Sequence, residues 1–150
     1  MAMSGIKMAP ELKEFFNTMN IKKTHKYAFF KLSSDQKFVV LDEENLGPKV
    51  TTKTKEEDKV YFEQLKNVLE TNEPRYILYD FGFQGKEGRE YRKLGFMYWC
   101  SNDCPVKKRM IYASTKDDVR KCFGNKPEFQ LNELSDLDYE EFSDVMAKAK

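Results

Sequence analysis

Three cysteines and one histidine are the side chains of this 150-residue chain best suited to bind a metal. Cys100 and Cys104 stand four positions apart, a spacing that could begin a zinc site. The third cysteine is Cys122 and the histidine is His25, both far along the chain, whereas zinc needs four ligands, usually in close pairs. The sequence therefore predicts no metal and no cofactor, and cysteines that are buried or half-buried thiols.

Patterns typical of enzymes are missing from the sequence as well. It contains no Gly-x-Ser-x-Gly motif, and the glycines of residues 82–93 lack the Gly-Lys-Ser/Thr of a phosphate-binding loop. His25 lies in a basic stretch with no nucleophile or acid placed beside it, so a surface histidine is expected. No two carboxylates are paired as acid and base. Enzymatic activity is not expected.

Residues 106–123 are predicted to form an amphipathic helix whose outward face carries a methionine. The segment contains six basic residues and two acids. At about 100° per residue, the inward stripe consists of Ile111, Thr115, Val119 and Cys122, with Tyr112 and Phe123 at its edge. The outward side consists of Met110, Ala113, Ser114, Asp117 and Lys121. Met110 is therefore expected to project into solvent among small residues and cations.

An exposed methionine among cations indicates a surface that contacts a partner, because methionine is flexible and polarisable. Exposing one methionine costs little, so a surface residue without a role is the alternative. The positive N-terminus of the helix could instead attract the phosphates of anionic lipids. Duplex DNA is not expected, since the net charge is only +1 and no base-reading motif is present.

The charges are segregated along the chain. Residues 107–121 are basic, whereas residues 133–144 hold six acids and no base. Two opposite poles favour an oriented contact with a partner, although two solvated faces would give the same pattern.

Helices and strands that would position this segment can be predicted from periodicity. Helices are expected at residues 10–20, at 55–70, and from a cap at Ser135 or Asp136 to about residue 149. The apolar face of the second helix is expected to hold Val60, Tyr61, Leu65, Val68 and Leu69. Strands are expected at residues 27–32, 37–41, 75–81, 94–100 and 128–131, with an exposed hairpin loop over residues 82–93.

This order predicts a mixed α/β fold, with a sheet of about five strands and helices on both faces. A single domain over residues 1–150 is expected, with a flexible start at residues 1–8. The sequence shows no secretory signal and no long apolar run, so a reduced, cytosolic protein is expected.

Segments along nearly the whole chain resemble the ADF/cofilin family of actin-depolymerising proteins. The most specific is "KKRMIYASTKDDVRK" (107–121), preceded by "FMYWCSNDCPV"; "RYILYDF" (75–81) is similar to the central strand of the family. "MAMSGIKM" and "NIKKTHKYAFFKL" are similar to its N-terminus and first strand region. The resemblance implies the ADF-homology fold and a monomeric protein of the cytoplasm, with nuclear presence as well.

The resemblance also implies actin as the partner, bound both as a monomer and along filaments, with filament disassembly as the result. The implied contacts with monomer and filament are Ser4, Gly5, Ile6, Lys107, Arg109, Met110, Ile111, Lys116, Asp117, Val119 and Arg120. Contacts made with filaments alone would be Arg89, Arg92, Lys93 and Lys148, while Val145 stands where the family often has a basic residue.

Regulation is implied at two places. Ser4 resembles the serine that the family inactivates by phosphorylation, one position later than in the common pattern, and a phosphate would oppose docking by repulsion. Anionic phosphoinositides would bind Lys107, Lys108, Arg109, Lys116 and Lys121. The alternatives to filament disassembly are a binder that sequesters monomers or does not sever, and a regulatory domain that binds anionic phospholipid.

Overall fold

A computed structural model describes residues 5–22, 24–69, 73–124 and 126–148. It contains a six-stranded mixed sheet with two helices on each face. The helices are α1 (Pro10–Lys22), α2 (Lys55–Lys66), α3 (Val106–Cys122) and α4 (Tyr139–Lys148). The strands are β1 (Lys7–Met8), β2 (Tyr27–Leu32), β3 (Phe38–Leu41), β4 (Arg75–Gln84), β5 (Glu90–Trp99) and β6 (Glu128–Leu131). No helix in these ranges is long and apolar enough to cross a membrane.

The sheet is ordered β1-β3-β2-β4-β5-β6. Its four inner strands are antiparallel, while β1 and β6 join the two edges in parallel. Strand β4 lies at the centre and is buried on both faces over residues 76–83, as its apolar sequence predicted. It pairs with β5 over ten positions, from Arg75 opposite Trp99 to Gln84 opposite Glu90. This long hairpin is the support against which the helices pack.

The N-terminal edge of the sheet differs from the prediction. Residues 5–8, expected to be a flexible start, include strand β1, and residues 1–4 lie outside the described residues. The N–H of Lys7 donates to the carbonyl of Lys37 at 3.0 Å, and that of Ala9 donates to Val39 at 3.0 Å. The sheet therefore has six strands rather than about five, because a two-residue strand is too short to show a periodic pattern.

The hairpin between β4 and β5 is also more regular than predicted. Only residues 85–89 are outside the strands, not the whole of 82–93. The ring of Phe83 is buried and stacks on Tyr91 at 5.3 Å, which keeps the ladder intact to its end. The turn is closed by positive φ angles at Glu87 (64°) and Gly88 (74°). Gly88 therefore serves the turn, as predicted, whereas Gly82 lies within β4.

The inward face of α2 was predicted correctly only in part. Leu65 is fully buried, and Val68 and Leu69 pack against the core, as predicted. Val60 is instead 62 % exposed, while Asp58 and Phe62 are buried. The buried charge of Asp58 hides this part of the inward stripe from the apolar pattern. The helix also ends at Lys66, four residues earlier than expected.

The last helix begins later than predicted. Ser135 and Asp136 lie in a preceding 3-10 turn (Leu134–Asp136), and α4 starts at Tyr139. The carboxylate of Asp138 accepts the N–H of Glu140 at 3.1 Å, so Asp138 supplies the cap. The expected end at residue 149 lies outside the described residues.

A fully buried ion pair joins elements on one side of the sheet. The ammonium of Lys26, just before β2, lies 2.5 Å from the carboxylate of Asp58 on α2. That carboxylate also accepts the hydroxyls of Tyr79 on β4 at 2.8 Å and Tyr139 on α4 at 2.5 Å, and the N–H of Gly82 at 3.1 Å. Burial lowers the pKa of Lys26 while Asp58 opposes the shift, and burial raises the pKa of both tyrosines.

The loop before α2 is drawn into the same cluster. Lys26 donates to the hydroxyl of Thr52 at 2.9 Å and to the carbonyl of Asp80, and Thr52 donates to the carbonyl of Gly82 at 2.7 Å. A side chain at position 82 would place its Cβ 2.5 Å from the carbonyl oxygen of Thr52. Gly82 is therefore required for this close approach.

Replacing Asp58 with Ala is expected to lower the free energy of unfolding by about 3 to 5 kcal/mol, because Lys26 would be left buried without its counter-charge. Urea denaturation followed by circular dichroism measures the loss. The matched control is Lys59→Ala, an exposed position on the same helix, for which a change within about 0.5 kcal/mol is expected. If Asp58→Ala does not fold, the double variant Lys26→Met with Asp58→Leu should restore folding. Equal stability of Asp58→Ala and Lys59→Ala would contradict the role of the pair.

Candidate functional site

Helix α3 is attached to the sheet face opposite the Lys26–Asp58 pair. Its residues Tyr112, Thr115 and Val119 are buried in the core formed with α1. The hydroxyl of Tyr76 on β4 donates to the carbonyl of Tyr112 at 2.6 Å, and the N–H of Leu32 donates to the Tyr112 hydroxyl at 3.0 Å. Two buried hydrogen bonds thus fix the rotation of α3 about its axis.

The predicted inward stripe is largely confirmed. Thr115 and Val119 are fully buried, and Ile111 and Cys122 are half-buried. Tyr112, expected only at the edge of the stripe, is one of its buried members because it hydrogen-bonds to both β2 and β4.

The outward face of α3 has an apolar centre surrounded by small and charged residues. All its members are exposed: Val106, Lys107, Met110, Ala113, Ser114, Asp117 and Lys121. The side chain of Met110 is 66 % exposed, which confirms its predicted orientation. Val106, one turn earlier and 60 % exposed, enlarges the apolar centre. Sequence analysis missed Val106, although its position four residues before Met110 places both on one side of the helix.

The cations of α3 differ in whether other residues already engage them, and all except Arg109 fall into two groups. Lys108 lies 2.9 Å from the carboxylate of Glu73, and Lys116 lies 2.9 Å from that of Glu128 on β6. Arg120 approaches Glu128 at 3.8 Å and donates to the carbonyl of residue 126 at 3.2 Å. These three side chains are held by partners from other elements.

Lys107 and Lys121 form the second group. Both are exposed, and within the parts of the chain that the structure describes neither has an ion-pair partner. Arg109 is intermediate: it is half-buried, and its Nε is buried without a hydrogen-bond acceptor among the described residues. Contact with an acidic partner would therefore begin with Lys107 and Lys121, since their charges are not already engaged.

Two residues implied as partner contacts are not presented at the surface. Val119 is fully buried, and Ile6 is 9 % exposed within the core on the α1 side. Their side chains contact the protein's own interior, so we withdraw them from the partner-facing set. Gly5 is exposed, Ile111 is half-buried, and Ser4 lies outside the described residues.

Residues implied as filament contacts lie on the β4–β5 hairpin and on α4. Arg92 lies 3.2 Å from the carboxylate of Asp80, and Lys93 donates to the carbonyl of Met146 at 3.2 Å. Arg89 stacks on the ring of Tyr91 at 5.4 Å, and Lys148 is exposed at the end of α4. Val145, also exposed on α4, supplies no charge. Of the residues implied as filament contacts, Arg89 and Lys148 are therefore the least engaged by other groups of the protein.

The histidine and cysteines do not assemble a metal site. Among the described residues, no three His, Cys, Asp or Glu side chains are grouped so that they could hold a metal ion. His25 is half-buried rather than on the surface, and its ring stacks on Phe15 at 5.7 Å. Burial, with a smaller effect of Lys49, lowers the pKa of His25.

The sequence pattern of the cofilin/tropomyosin-type actin-binding protein family matches residues 5–147, which include all the helices and strands described above except the last residue of α4. The chain belongs to the ADF/cofilin family. This ADF/cofilin protein is 31 % identical over 142 residues to actin-depolymerizing factor 1 of Arabidopsis thaliana, with 94 % of each chain covered. It is 28 % identical over 147 residues to actophorin of Acanthamoeba castellanii, covering 97 % of this chain and 98 % of that protein.

A solved structure shows the same fold. The crystal structure of Streptomyces griseoflavus cofilin superposes with a TM-score of 0.78 at 21 % identity, covering 97 % of this chain and 100 % of that one. The expected mixed α/β fold is confirmed, as is the resemblance to ADF/cofilin proteins. Because the family consists of actin-binding proteins, the expectation that this ADF/cofilin protein is not an enzyme is also confirmed.

The orientation of α3 in this ADF/cofilin protein can be tested by paired substitutions. Met110→Glu is expected to change the free energy of unfolding by no more than about 0.5 kcal/mol, since the side chain is exposed. Val119→Asp is expected to cost about 3 to 5 kcal/mol, because an unpaired charge would be buried. Ile111→Asp should lower the free energy of unfolding by an intermediate amount, since Ile111 is half-buried. Thermal denaturation measures all three, and the reverse order would show that α3 is rotated differently.

Proposed function

We propose that this protein binds monomeric actin and the sides of actin filaments, and that filament binding promotes disassembly. Met110 carries the proposal: it stands exposed on the outward face of α3, within the residues 5–147 that match the family. Relatives named actin-depolymerizing factor and cofilin support the same partner. We further propose that the protein acts as a monomer in the cytoplasm, with nuclear presence as well.

The outward face of α3 has the composition expected of a protein-binding surface. Met110 and Val106 supply apolar contact area, while Ala113 and Ser114 are small enough to allow close approach of another surface. Lys107 lies near one end of the face and would give an incoming acidic surface its orientation. An apolar centre with a polar rim is the usual arrangement of an interface.

The remaining implied contacts act differently. Lys116 and Arg120 are positioned by Glu128, so a partner would meet them as fixed charges rather than as flexible side chains. Asp117 is exposed between them and could accept a hydrogen bond from actin. Gly5 and Ser4 would add the N-terminal contact that the family resemblance implies.

Filament disassembly needs no covalent chemistry under this proposal. A ligand that binds one filament twist more tightly than another shifts the filament toward that twist. Strain would then collect at boundaries between decorated and bare stretches, where the filament would break. Monomer binding alone would instead sequester actin or change its nucleotide exchange, which is the alternative outcome.

Anionic phosphoinositide is a second candidate ligand for α3. The observation that favours it is the pair of exposed, unengaged cations Lys107 and Lys121; Lys108, Lys116 and part of Arg109 are already occupied or buried. A membrane surface would contact both lysines and cover Met110, so lipid and actin should exclude each other. Flotation with vesicles containing phosphatidylinositol bisphosphate, with and without monomeric actin, separates exclusive from independent binding.

Met110→Glu is expected to weaken binding to monomeric actin by about 30-fold, since loss of a hot-spot residue at the centre of an interface costs about 2 kcal/mol. Fluorescence anisotropy with labelled actin monomers measures the affinity. Val60→Glu is the matched control, because Val60 is similarly exposed but lies on α2, across the sheet from α3. Ser4→Asp in the same assay tests inactivation by phosphorylation.

Two results would contradict the monomer proposal. Native-like affinity of Met110→Glu would mean that α3 does not contact actin. Equal weakening by Val60→Glu would mean that the loss of binding is not specific to the outward face of α3. Unchanged binding by Ser4→Asp would remove the proposed regulation while leaving the actin contact in place.

Replacing both Arg89 and Lys148 with Ala is expected to reduce filament binding at least tenfold while leaving monomer affinity within about twofold. Among the four residues implied as filament contacts, these two are the least engaged by other groups, so they should carry the filament-specific charge contacts. Co-sedimentation with filaments measures binding, and microscopy of filament length measures disassembly. Equal loss of monomer and filament binding would argue against a separate filament surface, and filaments of unchanged length at saturation would exclude severing.

A further inference from the structure

Strand β6 is the last strand of the sheet that the structure describes, and only one of its two edges is paired. The carbonyls of Pro127 and Leu131 accept N–H groups from β5 and from the residue after it, at 2.8 and 2.9 Å. In a strand, the N–H and C=O of one residue point to the same side, and those of the next residue point to the opposite side. The backbone groups of Glu128 and Gln130 therefore point away from β5, along the open edge of the sheet.

The opposite edge of the sheet shows how short an added strand can be. There, β1 consists of two residues and pairs with β3, and the N–H groups of Lys7 and Ala9 donate to backbone carbonyls at 3.0 Å. At β6, the N–H and C=O groups of Glu128 and Gln130 have no strand against them in the described part of the chain. An extended segment of similar length would find two donors and two acceptors at this edge.

A cleft of about 740 Å³ lies along the open edge, between β6, the 3-10 turn (Leu134–Asp136) and the start of α4. Glu128 and Gln130 line it, together with the buried side chains of Phe129 and Phe142. Its volume is within the range of about 300–1,000 Å³ that is common for ligand-binding clefts. Most of its lining residues are polar or charged, which disfavours an apolar small molecule and suits a peptide backbone.

The charge of the cleft is negative. Its lining includes the carboxylates of Glu128, Glu133, Asp136, Asp138 and Glu141, and no lysine or arginine among the described residues. Within the described chain, Glu128 alone of the five is ion-paired, with Lys116 and Arg120 of α3. Asp136 and Asp138 accept backbone N–H groups at 2.8 and 3.1 Å, which leaves their net charge in place. A segment that entered the cleft would therefore have to be cationic to be attracted.

We infer that the outer edge of β6 is a docking site for a basic, extended peptide segment of another protein, which would join the sheet as a further strand. The open backbone groups of the edge would bind an extended chain, and the carboxylates would select a cationic one. A second copy of this protein is disfavoured, because pairing two β6 edges would bring two acidic clefts together. The site shares no residue with the outward face of α3, so the inference does not depend on actin binding.

Fluorescence anisotropy of the full chain with a labelled peptide tests the inference. The probe is a peptide of alternating lysine and valine with blocked ends, whose lysines lie on one side when it is extended. We expect saturable binding that weakens as salt is added. The same peptide with its central valine replaced by proline keeps its charge but loses a backbone donor, and should bind at least about tenfold more weakly.

Two results of this assay would overturn the inference. Equal binding of the proline peptide would show attraction by charge alone, without addition of a strand. Absence of binding would show that the acids only protect the edge from pairing. Sedimentation of the protein without peptide tests the other occupant, because dimers that the peptide dissociates would assign the edge to a second copy instead.

Amide exchange measured by NMR on the native chain locates the peptide without any substitution. The N–H groups of Glu128 and Gln130 point away from β5, so their exchange with solvent should slow when the peptide is bound. Those of Phe129 and Leu131 already face β5 and should change little, which makes them an internal control. Unchanged exchange at Glu128 and Gln130 under saturating peptide would overturn the assignment to this edge.

Substitution of Gln130 tests the backbone contact. Gln130→Pro removes an N–H that faces away from the sheet, a position at which an edge strand tolerates proline, and should weaken peptide binding at least about tenfold. Gln130→Ala retains the N–H and should bind within about twofold of the native chain. Equal weakening by both variants would mean that the side chain, rather than the open edge, makes the contact. Circular dichroism verifies that each variant is folded.

Substitution of the acids tests the selection of a cationic segment. Glu133→Gln combined with Glu141→Gln should weaken binding at least about fivefold at low salt, because two charges of the cleft are removed. The matched control is Glu43→Gln with Glu56→Gln, two exposed acids on other elements, which should have an effect within about twofold. Equal weakening by the two double variants would show that overall charge, rather than the cleft, attracts the peptide. Met110→Glu should leave peptide binding unchanged, and loss of binding in that variant would place the peptide on α3 instead.

Discussion

The pairing of Lys26 with Asp58 constrains the arrangement of everything on one side of the sheet. Two opposite charges without solvent access are tolerated only when each is compensated, so β2, α2, β4 and α4 must meet in the one arrangement that brings the pair and its tyrosine donors together. Apolar packing alone would allow α2 and α4 to slide or rotate, because hydrophobic contact is not directional. The ion pair therefore gives this side of the sheet specificity that its aromatic core does not.

The opposite side of the sheet uses the same strand for a different purpose. Strand β4 carries Tyr79 toward the ion pair and Tyr76 toward α3, because alternate residues of a strand point to opposite faces. Tyr76 fixes α3 by bonding the backbone of Tyr112, which leaves the outward face of α3 free for another protein. One face of the sheet thus holds the stabilising ion pair, and the other holds α3, whose outward side is exposed. This division follows from the pleat of one central strand.

Tertiary contacts change the character of the basic helix. In the sequence, α3 is a row of cations; in the structure, Glu73 and Glu128 engage Lys108, Lys116 and Arg120 from neighbouring elements. What remains is an apolar centre with unengaged lysines toward its two ends. Such a surface favours a shaped protein partner over a uniformly anionic polymer, since the apolar centre contributes only when it is covered.

The sequence by itself determined the helices and strands with strong periodicity, the inward stripe of α3 and the exposure of Met110, because these depend on spacing within one segment. The family also followed from local segments around residues 75–81 and 107–121. Only the tertiary structure decided that Asp58 is buried and Val60 exposed, that two residues near the N-terminus form a strand, and that Ile6 and Val119 face the interior. It alone also decided which cations of α3 are engaged by carboxylates from other parts of the chain. The physical reason is that ion pairing and burial depend on groups distant in the chain. The periodicity of one segment does not identify the residues that will pack against that segment.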